Sequence, residues 1–295
     1  MKQREQLSQK AEYITGFVIL LVGVMVLSFD ALLLRVSNVQ GFTAAFWRAF
    51  YTTLSLTVLF LFTNKKKSLT ILRTGKWPMW VSGFLWGGSG LCFALGVMFA
   101  GPANTLVLLS LAPLFAAAFS FIFYKRKPSV VTLVATLFAI IGISYMYRHG
   151  IGHIPPLGMV FALGTPLFLG SNLTFMRFHK DLSRTAIVMI GGYIGTVVSL
   201  VAANFHISLD GGIMWPLVLL GLFVIPFAQV MISTGTRYIP SAESALINSL
   251  ETVLGILYVW IFLKEAPNLD FIIGASIVFV AITANSVYQA QVRKG

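Results

Sequence analysis

Long apolar runs separated by short polar breaks fill the chain from residue 14 to residue 288. Each run holds about 20 residues, the length that an α-helix needs to cross a hydrocarbon layer of about 30 Å. The pattern predicts ten membrane-spanning helices, over residues 14–36, 43–62, 77–99, 103–124, 129–147, 158–178, 185–204, 216–235, 244–263 and 269–288. The sequence therefore predicts an all-α polytopic membrane protein, and the connections between the helices are too short to form a soluble domain.

Composition and charge favour a lipid bilayer, and not nucleic acid, as the partner of this chain. Hydrophobic residues make up 57% of it and charged residues only 10%, with a mean hydropathy of +0.87, whereas about a quarter of the residues of a soluble protein are charged. The net charge is +12, but 17 of the 21 Lys and Arg lie on one predicted side, 3 lie on the other, and Arg48 lies inside a span. Because basic residues stay on the cytoplasmic side, we expect a multi-pass protein of the cell (inner) membrane with both termini in the cytoplasm.

The two halves of the chain repeat one another at offsets near 140 residues. Trp77-Pro78 recurs as Trp215-Pro216, and the next matching proline follows 24 residues later in both halves. Self-similarity at a fixed offset indicates an internal repeat. Each half then holds five helices, and an odd number forces the second half to enter the membrane upside down, so we predict two inverted five-helix repeats. The predicted segments are a cytoplasmic tail at 1–13, the first repeat at 14–150, the second repeat at 151–290 and a second tail at 291–295.

Three stretches of the sequence resemble a known family. They are FWRAF (46–50), GPANTLVLLSLAPLFAAAFSFIFYKRKPS (101–129) and IPSAESALINSLETVLGILYVWIFLKEAP (239–267). Through them the chain is similar to the drug/metabolite transporter (DMT) superfamily, specifically its EamA type, which has two five-helix units. The chain departs from the usual family pattern at Thr252, where a proline commonly follows Leu-Glu, and at Lys125-Arg126, which stands in place of Gly-Glu. The resemblance implies secondary transport of small metabolites, often export, through a central cavity.

Glu251 is the one carboxylate within the predicted span 244–263. It belongs to a stripe at helical spacing, made of Ser241, Ser244, Asn248, Glu251, Gly255 and Tyr258. A carboxylate near mid-membrane costs about 3 kcal/mol, so this stripe should face the bundle interior or a watery cavity. The repeat offset gives a stripe of mostly small residues on the span 103–124, at Ala103, Leu106, Ser110, Pro113, Ala117 and Ser120. We expect the two stripes to face each other with room between them.

Two roles are open for Glu251. As a functional group it would bind a substrate ammonium, carry a coupling proton, or do both in turn, because an ionisable group inside a membrane marks a site by default. As a structural group it would be protonated and hydrogen-bonded to a neighbouring helix.

Asp30 and Arg48 lie at similar depths in the first two predicted spans, both toward the outer face. Opposite charges at one depth predict an ion pair across this hairpin, which acts either as a structural bond or as a gate. The repeat of Asp30 in the second half is Asn172. The candidate residues for substrate binding or coupling are Glu251, Asn248, Ser244, Tyr258, Ser110, Gln229, Trp86 and Asn172, of which Gln229 and Trp86 could equally be packing residues.

The sequence carries no recognised catalytic or metal-binding pattern. The chain lacks HExxH, GxSxG and a phosphate-binding GxxxxGK[ST], and its four histidines and single cysteine show no ligand spacing. We therefore expect no enzyme, no metal and no cofactor. Sugar phosphates are disfavoured as substrates because they need intramembrane Lys or Arg, and only Arg48 qualifies.

The sequence thus favours a secondary active transporter of a small amine-bearing metabolite. An amino acid or related metabolite exporter is the first interpretation, working by alternating access and with proton coupling as an option. An importer of a cationic nutrient, such as a quaternary amine or a nucleoside-like cofactor, is the alternative. An intramembrane enzyme or a structural scaffold comes third. We expect a monomer, with a homodimer as the alternative state.

Overall fold

The computed structural model is α-helical throughout its regular elements, and the part of the chain that it describes contains no strand. The described residues are 2–39, 41–125, 129–146, 155–179, 182–208, 212–236, 238, 241–264 and 268–292. In chain order the helices are α1 (Lys2–Leu27), α2 (Phe29–Ser37), α3 (Gly41–Asn64), α4 (Ser68–Thr74), α5 (Lys76–Phe99), α6 (Pro102–Leu109), α7 (Ala112–Tyr124), α8 (Val130–Met146), α9 (Pro156–Phe178), α10 (Arg184–Ala202), α11 (Trp215–Leu219), α12 (Ile225–Gly235), α13 (Ser241–Leu263) and α14 (Leu269–Val292). A 3₁₀ turn (Lys65–Lys67) precedes α4, and a π-helical segment (Leu220–Val224) joins α11 to α12.

Six helical segments among the described residues are long and apolar enough to cross a membrane, or seven if the bent pair α6 and α7 forms one span. The six are Tyr13–Ser37, Gly41–Asn64, Lys76–Phe99, Pro156–Met176, Arg184–Ala202 and Trp215–Gly235. Three more apolar helices are shorter: Val130–Met146, Leu250–Leu263 and Leu269–Asn285. Each of these three stretches stops, at one end, beside a position that is not fully described. Residue 147 lies outside the described part, and the side chains of residues 249 and 286 are not described. The all-helical membrane architecture is confirmed, and the number of ten spans stays a prediction.

Prolines account for two irregularities in the long helices. The axes of α6 and α7 differ by 41°, and Pro113 at the beginning of α7 explains this bend, because its ring removes a donor and clashes with the preceding turn. Pro226 follows the π-helical segment and has no N–H to donate to the carbonyl of Leu222 four residues earlier. The Oγ of Ser55 on α3 donates to that carbonyl instead, at 2.9 Å.

The main helix packing joins the two halves of the chain. The extensive interfaces are α5 with α9 and α10, α3 with α10, α8 with α14, and α1 with α12. Glycines bring several backbones together: a Cβ added to Gly142 on α8 would lie 2.7 Å from the carbonyl of Gly274 on α14, and one added to Gly87 on α5 would lie 2.5 Å from that of Gly191 on α10. Close approach of this kind is the usual way in which membrane helices pack. Intertwined halves are expected of inverted repeats, and the inverted arrangement itself stays a prediction.

The largest apolar core cluster lies between α2, α3, α5, α6 and α11. Its fully buried members include Leu34, Leu95, Leu106 and Leu217. Large apolar side chains such as Phe62, Val130 and Ile261 are exposed on the outside of the bundle, as lipid solvation permits. The core cluster surrounds the beginning of α2 and the beginning of α3, where two charged side chains meet.

Candidate functional site

Asp30 on α2 and Arg48 on α3 form an ion pair inside the bundle. Arg48 Nε donates to one carboxylate oxygen of Asp30 at 3.0 Å, and a terminal guanidinium nitrogen donates to the other at 2.5 Å. Only 6% of the Asp30 side chain and 14% of the Arg48 side chain are exposed. This two-point contact is the strongest geometry between these groups, because the planar guanidinium matches the carboxylate. The sequence pairs Asp30 with Arg48 because they lie at similar depths in their predicted spans. The structure brings these two residues together.

Arg48 has two further neighbours on α5. Its other terminal nitrogen donates to the carbonyl of Gly90 at 3.4 Å, and its guanidinium carbon lies 5.7 Å from the centre of the Phe93 ring. Both contacts favour the charged side chain, the second through cation–π attraction. The arginine is thus fixed between three helices.

Glu251 lies half-buried on α13, within electrostatic range of both Asp30 and Arg48. It forms no ion pair with a side chain of the described part of the chain. Sequence analysis paired Arg48 with Asp30 alone and missed this proximity of Glu251 to Arg48. Asp30, Arg48 and Glu251 therefore form one charged group, contributed by three helices.

The polar stripe of α13 packs against α2 and α6. Tyr258 stacks on Phe29, the residue before Asp30, with the ring centres 4.4 Å apart. A Cβ added to Gly255 would lie 2.8 Å from a methyl group of Leu106. At this level the two predicted stripes are in contact, and the expectation of room between them is wrong there, because the Leu106 side chain fills the space. Asn248 is half-buried on the same helix, and the side chain of Ser244 lies outside the described residues.

A small cavity lies on the other side of this region, between α3, α5, α10 and α12. Its volume is about 50 Å³, and its wall includes Arg48, Thr52, Trp86, Gly90 and Ser199. A water molecule needs about 10–15 Å³ of such space, so the cavity holds a few waters or one small polar group, and not a whole metabolite. Sequence analysis included Trp86 and missed Ser199, because a single serine in a span that also carries Tyr193 and Thr196 does not by itself indicate a site.

The remaining predicted residues lie apart from the charged group or make local bonds. Asn172 on α9 is buried, and its side-chain oxygen accepts a bond of 2.5 Å from Ser82 Oγ on α5, which links two helices. Ser110 Oγ donates to the carbonyl of Val107 at 2.6 Å, at the break between α6 and α7. Gln229 on α12 is half-buried and is not part of the cavity wall. Their roles in substrate binding stay predictions.

Comparison with known families decides the identity of the fold. The model of the EamA-like transporter family matches residues 14–148 and again residues 156–287. The chain belongs to the EamA-like transporter family. This EamA-like chain is therefore a membrane transporter of the DMT type, and the family suggests a transporter and not an enzyme.

The comparison with solved structures agrees on the fold. A protein known from a crystal structure aligns with 95% of this EamA-like chain and 98% of its own chain, with a TM-score of 0.66 and 17% sequence identity. At that identity the likeness extends to the fold alone. The comparison with curated proteins finds no significant match.

Proposed function

We propose that this EamA-like protein is a secondary active transporter of a small amine-bearing metabolite, with an amino acid exporter of the inner membrane as the first candidate. The observation that supports it is the composition of the group formed by Asp30, Arg48 and Glu251, which contains two carboxyl groups and one guanidinium. The ion pair between Asp30 and Arg48 is neutral as a unit. An ionised Glu251 therefore adds one uncompensated negative charge to the bundle interior.

An uncompensated carboxylate inside a membrane is costly, by about 3 kcal/mol on insertion scales. Two ligands would remove the cost: a proton on Glu251 or a substrate ammonium beside it. The proton and the ammonium neutralise the same carboxylate, so they compete for it. A carrier that releases the amine on one side of the membrane and returns with a proton exchanges the two. Proton-coupled transport of an amine follows from this competition.

Alternating access needs two packings of the same helices. Extensive interfaces run between the two halves, and in transporters built of inverted repeats alternating access is a rocking of one repeat against the other. The bend between α6 and α7 and the π-helical segment before α12 supply the irregular geometry that often marks functional regions of helices. The distribution of basic residues favours a cytoplasmic position for both termini.

An importer of a cationic nutrient is the second candidate. It is supported by aromatic faces near the charged group, namely the Phe29 and Tyr258 stack and the indole of Trp86 in the cavity wall. Aromatic faces attract quaternary ammonium groups. A quaternary amine cannot donate a hydrogen bond to Glu251, so the two candidates predict different rankings of primary and quaternary amines in a binding screen.

The test is transport in proteoliposomes that contain the purified protein and carry an imposed proton gradient. Amino acids and quaternary amines are the substrates, and Glu251→Gln is the variant, since it keeps the shape and removes the charge. We expect gradient-driven amine uptake by the wild type and none by Glu251→Gln. Asp270→Asn at the beginning of α14 is the matched control and should transport normally. Equal transport by wild type and Glu251→Gln would leave Glu251 with a packing role and remove the proposal.

A further inference from the structure

Ser199 on α10 has an unusual hydroxyl. Serine and threonine side chains in these helices commonly donate to the carbonyl one turn earlier, as Thr196 does to Gly192 at 2.8 Å and Thr52 does to Arg48 at 2.8 Å. Ser199 is fully buried, and its Oγ has no partner among the described residues. A buried polar atom without a partner is destabilising. A state of the protein in which Ser199 has a ligand would remove that cost.

Ser199 belongs to the wall of the cavity that also includes Arg48. An arginine side chain carries five N–H donors, of which three bind Asp30 and Gly90. Two N–H groups of the guanidinium are therefore left without a partner in the described part of the chain. Together with the Ser199 hydroxyl, the cavity offers donors from two helices.

The rest of the wall agrees with a ligand of negative charge. None of the described residues in it is an Asp or Glu, and several are glycines, including Gly87, Gly191 and Gly195. Gly195 leaves room beside its backbone, since an added Cβ would lie 3.5 Å from that of Ala49, whereas Gly87 and Gly191 pack against each other; none of the three adds an acceptor side chain. At about 50 Å³, the space suits a group the size of a carboxylate. The surroundings of Arg48 thus offer a carboxylate for a cation, at Glu251, and hydrogen-bond donors for an anion, in this cavity.

We infer that the cavity beside Arg48 binds the carboxylate of the substrate, with Arg48 and Ser199 as its donors. The substrate class is then an amino acid, whose carboxylate enters the cavity. Asp30 is a positioning residue, since it holds the guanidinium by two hydrogen bonds. This inference rests on the proposed function, because it assigns a binding site to the carboxylate of the same amine-bearing substrate.

The experiment compares each of the twenty standard L-amino acids with its own α-amide, by thermal shift and by direct binding to the purified full-length protein. The amide keeps the ammonium and the side chain and removes only the carboxylate charge. For the amino acids that bind, we expect the wild type to prefer the acid over the amide by roughly 10- to 100-fold, the range for hydrogen bonds to a charged group. Ser199→Ala should lower that preference by roughly fivefold or more.

Thr283→Val on α14 is the matched control. The Thr283 hydroxyl is also buried without a partner among the described residues, but it lies outside the cavity wall, so its removal should leave the preference unchanged. The double variant Asp30→Asn with Arg48→Gln removes the guanidinium without leaving a lone charge, and it should reduce the preference to near one. Ser199→Ala keeps the ion pair, and it carries the test if the double variant does not fold.

Three outcomes are decisive. Equal affinity of the wild type for acid and amide overturns the carboxylate site and leaves the proposed amine transport standing. A preference that neither Ser199→Ala nor the double variant changes places the carboxylate elsewhere and also overturns the inference. Binding of neither acid nor amide removes the proposed function, and the carboxylate site with it.

Discussion

Neutralising Asp30 should destabilise the protein by an amount that restoring charge balance largely recovers. In the wild type both carboxylate oxygens of Asp30 accept hydrogen bonds from Arg48, and the pair is almost fully enclosed. Asp30→Asn removes the carboxylate that pairs with the Arg48 guanidinium within the bundle. Breaking a buried pair on one side costs about 3–5 kcal/mol, which corresponds to a fall in Tm on the order of 10 °C.

The single variant Arg48→Gln should cost a similar amount, because it leaves the Asp30 carboxylate alone. The double variant should lose much less than the sum of the two, since two neutral amides need no counter-charge. Recovery will be incomplete, because glutamine replaces neither the cation–π contact with Phe93, worth about 0.5–2 kcal/mol, nor the bond to Gly90.

The assay is a melting curve in detergent for the wild type, both single variants and the double variant, which together form a double-mutant cycle. Arg48→Lys is a useful fifth protein: it keeps the charge but offers no planar fork to the carboxylate, so its Tm should lie between those of the wild type and Arg48→Gln. Losses that simply add in the double variant would mean that the pair contributes no coupling energy, and the structural reading of Asp30 and Arg48 would be refuted.

Three further predictions concern other parts of the bundle. Glu251→Gln should leave the Tm unchanged or slightly raised, because it removes an uncompensated charge, and a large fall in its melting curve would contradict this. Ser55→Ala should lower stability by about 1–3 kcal/mol by leaving the Leu222 carbonyl without the hydroxyl that binds it, whereas Ser171→Ala, whose hydroxyl bonds within its own helix, should cost less in the same assay. In a Cys92→Ala background, single cysteines at Thr70 and Ser129 should react with an impermeant thiol reagent only from the cytoplasm and one at His153 only from outside; labelling of all three from one side would contradict the inverted repeat.

Hydropathy and spacing predict the helices of this protein well, because the length of an apolar run is a direct measure of what the bilayer requires. The pair between Asp30 and Arg48 is also within reach of the sequence, since depth along two consecutive spans follows from counting residues. Both inferences use only position along the membrane normal. Neither needs to know which helices are neighbours.

Rotation and neighbourhood of the helices are what the sequence leaves open. Most spans are apolar on almost every face. The polar stripe of α13 indicates its inward face but not that α2 is its neighbour, and no pattern in the sequence shows that α10 lies beside α3. The approach of Glu251 to Arg48, the filling of the space opposite Gly255 by Leu106, and the bond between Ser55 and Leu222 all depend on such contacts. Glycine positions carry some of this information, because they allow close packing, but a glycine does not show which helix packs against it.

Stability and recognition are coupled through Asp30. The carboxylate holds two of the three nitrogens of the Arg48 guanidinium, and the same guanidinium forms part of the cavity wall. If Asp30 were only a structural residue, Asp30→Asn would lower the Tm and leave the preference for amino acid over amide intact in the folded fraction. If it also positions Arg48, the same variant lowers both, because a guanidinium without its two-point anchor can reorient toward Glu251, a second carboxylate within its electrostatic range. That reorientation would neutralise the group that binds the ammonium, so the folded fraction should lose affinity for the amide as well as for the acid, a pattern that loss of stability alone does not produce.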